Sequence, residues 1–286
     1  MASAANKKTK KAGFPIVIQD SLFVNNAAQL PVHSDQSADV VKSGGMAFGG
    51  ALDLNRASAR LVDCDFQHNK AAVGGGISIR GRNCELEMTH CRLQHNEARE
   101  GGGLKASGKS RVVMQGRTSL VNNAATHCGG GLQGDSTSDL FLHDVSFWNN
   151  TAGLSGAGVC LKENSRLTAS GANFTLNRAA QGGGGLYTTH THCDRLVPRL
   201  RRGVGGDDGK SSNSDKDDKD DKDAADNAVL CIHLNQLRFD RNTAVMGHGL
   251  LWEDWHTPRR PLACQNCSYY HAPPEGNEGS EGNEGR

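Results

Sequence analysis

The 286-residue sequence predicts an all-β fold, a right-handed parallel β-helix (solenoid) of about seven turns of 27 residues with three strands per turn. Three observations predict it: a phrase that recurs in register, apolar residues two positions apart, and a glycine run in every repeat. The phrase reads Phe/Leu-x-x-Asn, then Ala, then glycines followed by Leu, Ile or Val; one copy is FTLNRAAQGGGGL at 174–186. Repetition at a fixed period indicates stacked copies of one small structural unit.

The asparagine of the phrase sets the period of the repeat. Five copies follow one another at intervals of 27 residues, and one further copy lies on each side, beyond an insertion at about 29–43 or 194–226. Because an amide side chain both donates and accepts hydrogen bonds, we expect each Asn to bond to its neighbour one turn along. The expected structural ladder consists of Asn26, Asn69, Asn96, Asn123, Asn150, Asn177 and Asn242.

Pairs of apolar residues two positions apart predict the strands, because alternate side chains of a strand lie on the same face. Most turns carry such a pair five and seven residues before the aligned Phe or Leu, as in LTA at 167–169 before Phe174. The turn of Leu120 is weaker, with Val113 and Gln115 at these positions. A repeat of this length is too short for a strand–helix–strand unit, so each turn is predicted to hold three parallel strands, wound with a right hand.

Side chains between these apolar positions are expected to point outward. One outward column is predicted at Val17, Arg60, Glu87, Met114, Phe141, Thr168 and His233, and a second at Asp53, Ser78, Lys105, Gln133, Cys160, Tyr187 and Leu251. Acid/base catalysis on sugars needs clustered carboxylates, and neither column places three carboxylates on neighbouring turns. We therefore interpret both columns as mixed surface and assign no catalytic residue.

Composition and charge limit the partners of the chain. The net charge of +1 gives no electrostatic attraction to nucleic acid, and the sequence has no apolar run long enough for a transmembrane segment. Residues 1–15 are predicted to be a basic flexible tail without the apolar segment of a secretory signal, and residues 16–252 to form the β-helix. Residues 253–286 are predicted to hold a Pro/Cys segment and a disordered acidic tail.

The nine cysteines are an odd number, so they cannot all pair within one chain. Cys64 and Cys91 occupy equivalent inward positions in adjacent turns. We interpret them as a buried stack of small apolar side chains, although their separation would also admit a disulfide. Cys264 and Cys267 form one Cys-x-x-Cys, which is half of a zinc site, a local disulfide or two free thiols. We expect no cofactor and no complete metal site.

One outward patch is a candidate binding site. Stacking of the turns predicts three side-by-side pairs: Asp63 with His90, Asp65 with Arg92, and His68 with His95. Carboxylates beside imidazoles suit metal binding or acid/base chemistry. The alternative is structural, because cross-strand pairs of this kind contribute roughly 0.2–1 kcal/mol each to stability.

The combination of FxxN with GGA(I/L/V) resembles the repeats of the chlamydial polymorphic outer-membrane proteins, within the pectin-lyase-like superfamily. FxxN occurs at Phe23–Asn26, Phe66–Asn69, Phe147–Asn150, Phe174–Asn177 and Phe239–Asn242, and GGAL occurs at 49–52. The resemblance covers about residues 16–252 and implies a right-handed parallel β-helix. It also favours an extracellular or cell-surface location, although the chain shows no signal peptide.

Two functions remain compatible with the sequence. The first is a non-enzymatic surface or adhesion-type scaffold that binds a glycan or a protein on its lateral faces. The alternative, implied by the superfamily, is a carbohydrate-active enzyme, either a polysaccharide lyase or a glycosidase. Gly247-His248-Gly249 matches a short motif of pectin-cleaving glycosidases, but it occupies the glycine position of the repeat. The lack of a carboxylate cluster in the outward columns favours the scaffold.

Overall fold

A computed structural model of the protein describes residues 16–28, 46–189, 232–246, 250–253, 264–265 and 268–270. The predicted tail at 1–15, the insertions at about 29–43 and 194–226, and most of the segment 253–286 lie outside these residues. In the part of the chain that is described, the regular elements are all strands, and no helix has the length and apolarity to cross a membrane.

The strands stack into four parallel sheets, and the chain visits the sheets in the same order on every turn. The first sheet contains β1 (Ile16–Gln19), β4 (Ala59–Val62), β7 (Glu85–Thr89), β11 (Arg111–Gln115), β15 (Asp139–His143), β19 (Arg166–Ser170), β23 (Ile232–Asn235) and β26 (Cys264–Gln265). The second sheet contains β2 (Leu22–Val24), β5 (Asp65–Gln67), β8 (Arg92–Gln94), β12 (Ser119–Val121), β16 (Ser146–Trp148), β20 (Asn173–Thr175), β24 (Arg238–Asp240) and β27 (Ser268–Tyr270).

The other two sheets follow on each side of the glycine run. The third sheet has strands of two residues: β9 (Glu97–Ala98), β13 (Ala124–Ala125), β17 (Thr151–Ala152) and β21 (Arg178–Ala179). The fourth sheet contains β3 (Leu52–Asn55), β6 (Ile77–Arg80), β10 (Leu104–Ser107), β14 (Leu132–Gly134), β18 (Val159–Leu161), β22 (Leu186–Thr189) and β25 (Leu250–Glu253).

The predicted fold class, an all-β parallel solenoid, is confirmed, with two differences of detail. The number of turns differs slightly from seven, since two sheets have eight strands, one has seven and one has four. The additional strands β26 and β27 pair through backbone groups with β23 and β24, and backbone pairing does not require the sequence repeat to continue. The short third sheet was not predicted, because the Ala corner that forms it is too brief to show a period of two.

The interior is filled by apolar side chains from the first, second and fourth sheets, and the column from the second sheet contains the largest of them. The aligned Phe and Leu residues pair in register along the second sheet: Phe23, Phe66, Leu93, Leu120, Phe147, Phe174 and Phe239. The ring of Phe174 stacks between those of Phe147 and Phe239, with centroids 4.9 Å apart on each side. Burial of each such side chain contributes roughly 1.5–3 kcal/mol, so this column makes a large apolar contribution to the stability of the coil.

Cys64 and Cys91 lie in the same core as free, buried thiols. The Sγ of Cys64 donates a hydrogen bond to the carbonyl oxygen of Val62 at 3.2 Å, and that of Cys91 donates to Thr89 at 3.4 Å. Burial raises the pKa of Cys91 to about 11, so this thiol stays protonated at neutral pH. In the structure the two residues are a stack of small side chains without a disulfide.

The predicted orientation of one strand is wrong. In β11 the residues that point inward are Val112 and Met114, whereas Val113 pairs with the outward Phe141. The spacing of the Asn positions stays at 27 residues, but one extra residue lies between β11 and β12, at the turn from Gln115 to Thr118. The hydroxyl of Thr118 donates to the carbonyl oxygen of Gln115 at 2.7 Å and closes this turn. A shorter link elsewhere in the same repeat compensates for the extra residue, so the period conceals the shift.

Candidate functional site

The predicted patch lies on the outer side of the second sheet and its corners, on the turns that contain β5 and β8. Nδ1 of His90 lies 3.6 Å from Oδ1 of Asp63, and both side chains are more than half exposed. The imidazole rings of His68 and His95 stack in parallel, with centroids 4.8 Å apart. The structure therefore brings these two pairs together at the surface.

The third pair of the patch is arranged differently. Asp65 and Arg92 are register partners, but Oδ2 of Asp65 accepts a hydrogen bond from Nε2 of Gln67 at 2.6 Å. Oδ1 of Asp65 is buried and has no hydrogen-bond partner among the described residues. Nowhere in the described ranges do three or more His, Cys, Asp or Glu side chains form a group that could hold a metal ion. The side chain of Cys264 and the whole of Cys267 lie outside the described residues.

A row of polar side chains extends the patch along the corner that precedes each buried Asn. His68, His95, Asn122 and Asn149 all have a left-handed backbone, with φ between 51° and 55°. This conformation turns the chain sharply, and Asn tolerates it better than most residues. Nδ2 of Asn122 lies 3.3 Å from Nε2 of His95, and Nδ2 of Asn149 donates to Oδ1 of Asn122 at 2.7 Å. We call these four residues the corner ladder.

Trp148 lies next to the corner ladder on the outer side of β16, and 43% of its surface is exposed. Its register partners on the neighbouring strands are Val121 and Thr175. An exposed Trp on the outer side of a sheet offers an apolar ring face and one N–H donor. We call the outer surface of β5, β8, β12 and β16, together with the corner ladder, the lateral face.

Directly inside the corner ladder, the repeated asparagines form a continuous chain of hydrogen bonds. Along this chain the backbone N and the Nδ2 of each Asn donate to Oδ1 of the Asn on the next turn, at 2.9–3.1 Å, from Asn26 to Asn242. Nδ2 also donates to a backbone carbonyl of the preceding turn, as from Asn150 to Leu120 at 2.9 Å. These bonds fix the backbone on which the lateral face is built.

A second region, which the sequence interpretation missed, lies on the outer side of the fourth sheet. The predicted column from Asp53 to Leu251 is in the predicted register. Its interpretation as mixed surface is wrong, because five of its members are buried: Ser78, Lys105, Gln133, Cys160 and Tyr187. These side chains point away from the core of the coil and are nevertheless shielded from solvent.

A glycine with a positive φ lies four positions before each of these buried residues. Gly101 has a φ of 63°, and a Cβ at this position would lie 2.8 Å from Cβ of Lys105. The same close approach recurs one turn later at Gly129, where a Cβ would lie 2.6 Å from Cβ of Gln133. The chain therefore bends into a concave corner, so that residues five positions apart face each other, as Glu100 faces Lys105.

Charged and thiol side chains line this concave corner on neighbouring turns. Nζ of Lys105, a residue only 4% exposed, lies 2.7 Å from Oε2 of Glu100 and also pairs with Asp135. On the following turns Cys128, Cys160 and Tyr187 pack together in one buried cluster, and both cysteines are free thiols. We call this region the thiol groove; it consists of Glu100, Lys105, Cys128, Gln133, Asp135, Cys160 and Lys162.

The chain matches one family model, described as a right handed beta helix region, over residues 33–194. The chain belongs to the right-handed β-helix family. This match gives the hand of the coil, and it agrees with the predicted fold class. Comparison with curated proteins gave no match, and comparison with solved structures gave none either. Gly247-His248-Gly249 of this β-helix lies outside the described residues.

The two thiols of the groove ionise very differently in this β-helix. A hydrogen bond from Cys160 and the nearby Lys162 lower the pKa of Cys128 to about 6, well below that of an ordinary thiol, despite its burial. Burial raises the pKa of Cys160 well above its usual value. Burial works against the ammonium form of Lys162, but the adjacent thiols and Glu100 raise its pKa. The surroundings therefore favour the thiolate at Cys128, the thiol at Cys160 and the ammonium form of Lys162.

We expect one thiol of this β-helix to titrate near pH 6. The thiolate absorbance in the ultraviolet should rise with a midpoint at about 6, the pKa of Cys128, and this step should be missing in Cys128→Ser. Because the folded-state pKa of Cys128 is lowered, its stabilising contribution is present above the usual thiol pKa and is lost as the pH falls through about 6. Cys91→Ser is the matched control and should keep the step; a step that survives in Cys128→Ser would contradict the assignment.

Sequence signals for both regions exist in retrospect. In FWNN at 147–150 the Trp follows the inward Phe147, and strict alternation places it outward. Glu100 and Lys105 lie five positions apart across a glycine run, as do Ser155 and Cys160. The sequence does not show that the two residues of each pair face each other, because the bend at the concave corner depends on the φ angle of one glycine.

Proposed function

We propose that this β-helix is a non-enzymatic surface scaffold of the adhesion type, and that it binds a glycan on the lateral face. The observation that carries this proposal is Trp148, exposed on the outer side of the second sheet beside the hydrogen-bonding corner ladder. The resemblance of the FxxN and GGA(I/L/V) repeats to the polymorphic outer-membrane proteins supports an extracellular or cell-surface location.

The chemistry of the lateral face suits a polyhydroxylated ligand. The indole ring of Trp148 can cover the C–H face of a sugar ring, since its own face is apolar. Amide and imidazole groups both donate and accept hydrogen bonds, as hydroxyl groups do, so Asn122, Asn149 and His95 can satisfy sugar hydroxyls on successive turns. A row of similar groups repeated on consecutive turns fits a linear glycan better than a compact solute.

The face is rigid before any ligand arrives. Phe147 and Asn150, the residues on either side of Trp148 and Asn149, are fully buried, and Asn150 is bonded to both adjacent turns. A binding surface that is ordered in advance loses less conformational entropy on association. The many short strands of the coil therefore serve here as a stiff support.

Trp148→Ala is expected to weaken glycan binding roughly tenfold to thirtyfold, the usual effect of removing a central aromatic contact. Isothermal titration calorimetry with a panel of neutral and acidic polysaccharides measures this directly. Trp148→Phe should retain most of the affinity, and Phe141→Ala, on the outer side of the first sheet, should bind like the unaltered protein.

Three outcomes would contradict the proposal. Binding of no glycan in the panel, unchanged affinity in Trp148→Ala, or an equal loss in Phe141→Ala would each remove the lateral face as the site. Release of unsaturated or shortened sugars during the titration would instead support the alternative, a polysaccharide lyase or a glycosidase.

A further inference from the structure

We propose that the thiol groove is a site of reversible oxidation by hydrogen peroxide, at which Cys128 reacts with the peroxide and Cys160 then closes a disulfide with it. The site lies on the fourth sheet and its concave corner, away from the lateral face. It is therefore independent of the glycan-binding proposal.

The topology brings the two sulfur atoms together from adjacent turns. The backbone of Cys128 is bridged to that of Ser155 on the next turn, and Ser155 lies five positions before Cys160 across the concave corner. Cys128 and Cys160 share one buried cluster with Tyr187, and neither is in a disulfide. The bridge and the corner together hold the two side chains next to each other.

The charges around the pair stabilise a negative sulfur at Cys128. The hydrogen bond from the Cys160 thiol and the ammonium group of Lys162 both favour the thiolate of Cys128. Lys105 does not compete for this thiolate, because it is already paired with Glu100 and Asp135. The thiolate is the reactive form of cysteine, and a nearby cation makes it available at neutral pH.

Gln133 provides an independent sign that the groove accepts a small polar molecule. It is 1% exposed, its strand position lies between Lys105 and Cys160, and its Oε1 has no hydrogen-bond partner in the described part of the chain. A buried carbonyl oxygen without a donor costs roughly 1–3 kcal/mol. A peroxide molecule that enters the groove can supply the missing donor with its O–H group.

The reaction balances with hydrogen peroxide as the only oxidant. The thiolate of Cys128 attacks one peroxide oxygen, the O–O bond breaks, and the leaving hydroxide takes a proton to become water, so that sulfur is oxidised to sulfenic acid. The Sγ of Cys160 then loses its proton and attacks Sγ of Cys128. The S–O bond breaks, a second water leaves, and the Cys128–Cys160 disulfide forms; two thiols and one peroxide yield one disulfide and two waters.

Burial restricts the oxidant to a small molecule. Cys128 is 2% exposed and Cys160 is 0% exposed, and Leu154 packs against them from the surface side of the cluster. The Cys64 and Cys91 stack is a control within the same chain, because it is also a pair of free, buried thiols on adjacent turns. Both thiols of that pair donate to backbone carbonyls, and burial raises the pKa of Cys91 to about 11, so this pair should not react.

Peptide mapping of the full chain tests the proposal. The protein is treated with hydrogen peroxide at pH 7, quenched with a maleimide at successive times, digested and analysed by mass spectrometry. We expect a Cys128–Cys160 disulfide to form first, at least about tenfold faster than Cys91 is lost, because the thiolate fractions of Cys128 and Cys91 differ by more than that. Dithiothreitol should restore both thiols.

Two variants separate the roles of the residues. Cys160→Ser should stop at the sulfenic acid of Cys128, which a cyclic 1,3-dione captures. Leu154→Ala should speed the reaction severalfold by opening the groove. If Cys160→Ser does not fold, the peptide map of the unaltered, peroxide-treated chain is sufficient to test the proposal. Oxidation of Cys128 no faster than of Cys91, or pairing of Cys128 with a cysteine other than Cys160, would overturn the proposal.

Discussion

Phe174→Ala is expected to lower the free energy of unfolding by about 3–5 kcal/mol, the usual loss when a buried Phe is truncated. The ring is fully buried and stacks against Phe147 and Phe239 on the adjacent turns. Collapse of the cavity is hindered, because the backbone on both sides is held by parallel pairing with β16 and β24. Denaturant unfolding monitored by circular dichroism measures the change.

Two controls distinguish the effect of removing the buried ring of Phe174 from the effect of removing a phenyl ring at the surface. Phe141→Ala removes a ring from the outer side of β15, where Arg111 lies over it at 4.4 Å, and should cost about 1 kcal/mol or less. Phe174→Leu should cost less than Phe174→Ala, because Leu93 and Leu120 already occupy the same column. Equal losses for Phe174→Ala and Phe141→Ala would mean that the inward and outward faces are assigned wrongly.

Asn150→Ala should destabilise the coil by at least about 1–3 kcal/mol, because it leaves the buried backbone N–H of Asn123 without its acceptor. Oδ1 of Asn150 accepts from the backbone N of Asn123 at 3.0 Å, and Nδ2 donates to the carbonyl of Leu120 at 2.9 Å. Both bonds disappear when the side chain is truncated, and water cannot readily replace them in the interior. Denaturant unfolding again provides the measurement.

Hydrogen bonding and volume can be separated at this position. Asn150→Asp keeps the size of the side chain but loses the Nδ2 donor, and its second oxygen faces Oδ1 of Asn177, so we expect a loss at least as large as for Asn150→Ala. Asn173→Ala, at an exposed position of β20, should change stability by no more than about 0.5 kcal/mol. A small effect of Asn150→Asp would show that the amide group is not what holds the turns together.

The sequence predicted best those features that repeat with the turn. The Phe/Leu column, the Asn positions and the parallel strands follow from like residues recurring at one period, because in a stacked coil each residue lies against its own equivalent. The candidate patch was predicted on the same principle, and Asp63 with His90 and His68 with His95 lie side by side as expected. Their role in binding is still a prediction.

The sequence predicted least well those features that depend on spacing within a turn. Met114 was placed outward, because the segment between Asn96 and β11 is one residue shorter and the link after β11 is one residue longer than in the neighbouring turns. The two changes cancel, so the interval between asparagines does not show them. Lys105 was placed on the surface, because alternation distinguishes the inside from the outside of the coil but cannot show that the outside is folded back on itself.

The sequence by itself determined the solenoid, its parallel sheets and the residues that stack along its core, because stacking depends only on what recurs from turn to turn. Only the tertiary structure decided where the outer surface is concave. The positive φ of Gly101 and its equivalents bends each turn inward and brings residues five positions apart face to face. Lys105 and Cys160 thereby become buried, and Cys128 becomes the neighbour of Cys160 and Lys162, because contacts across a bend depend on backbone angles that no sequence period records.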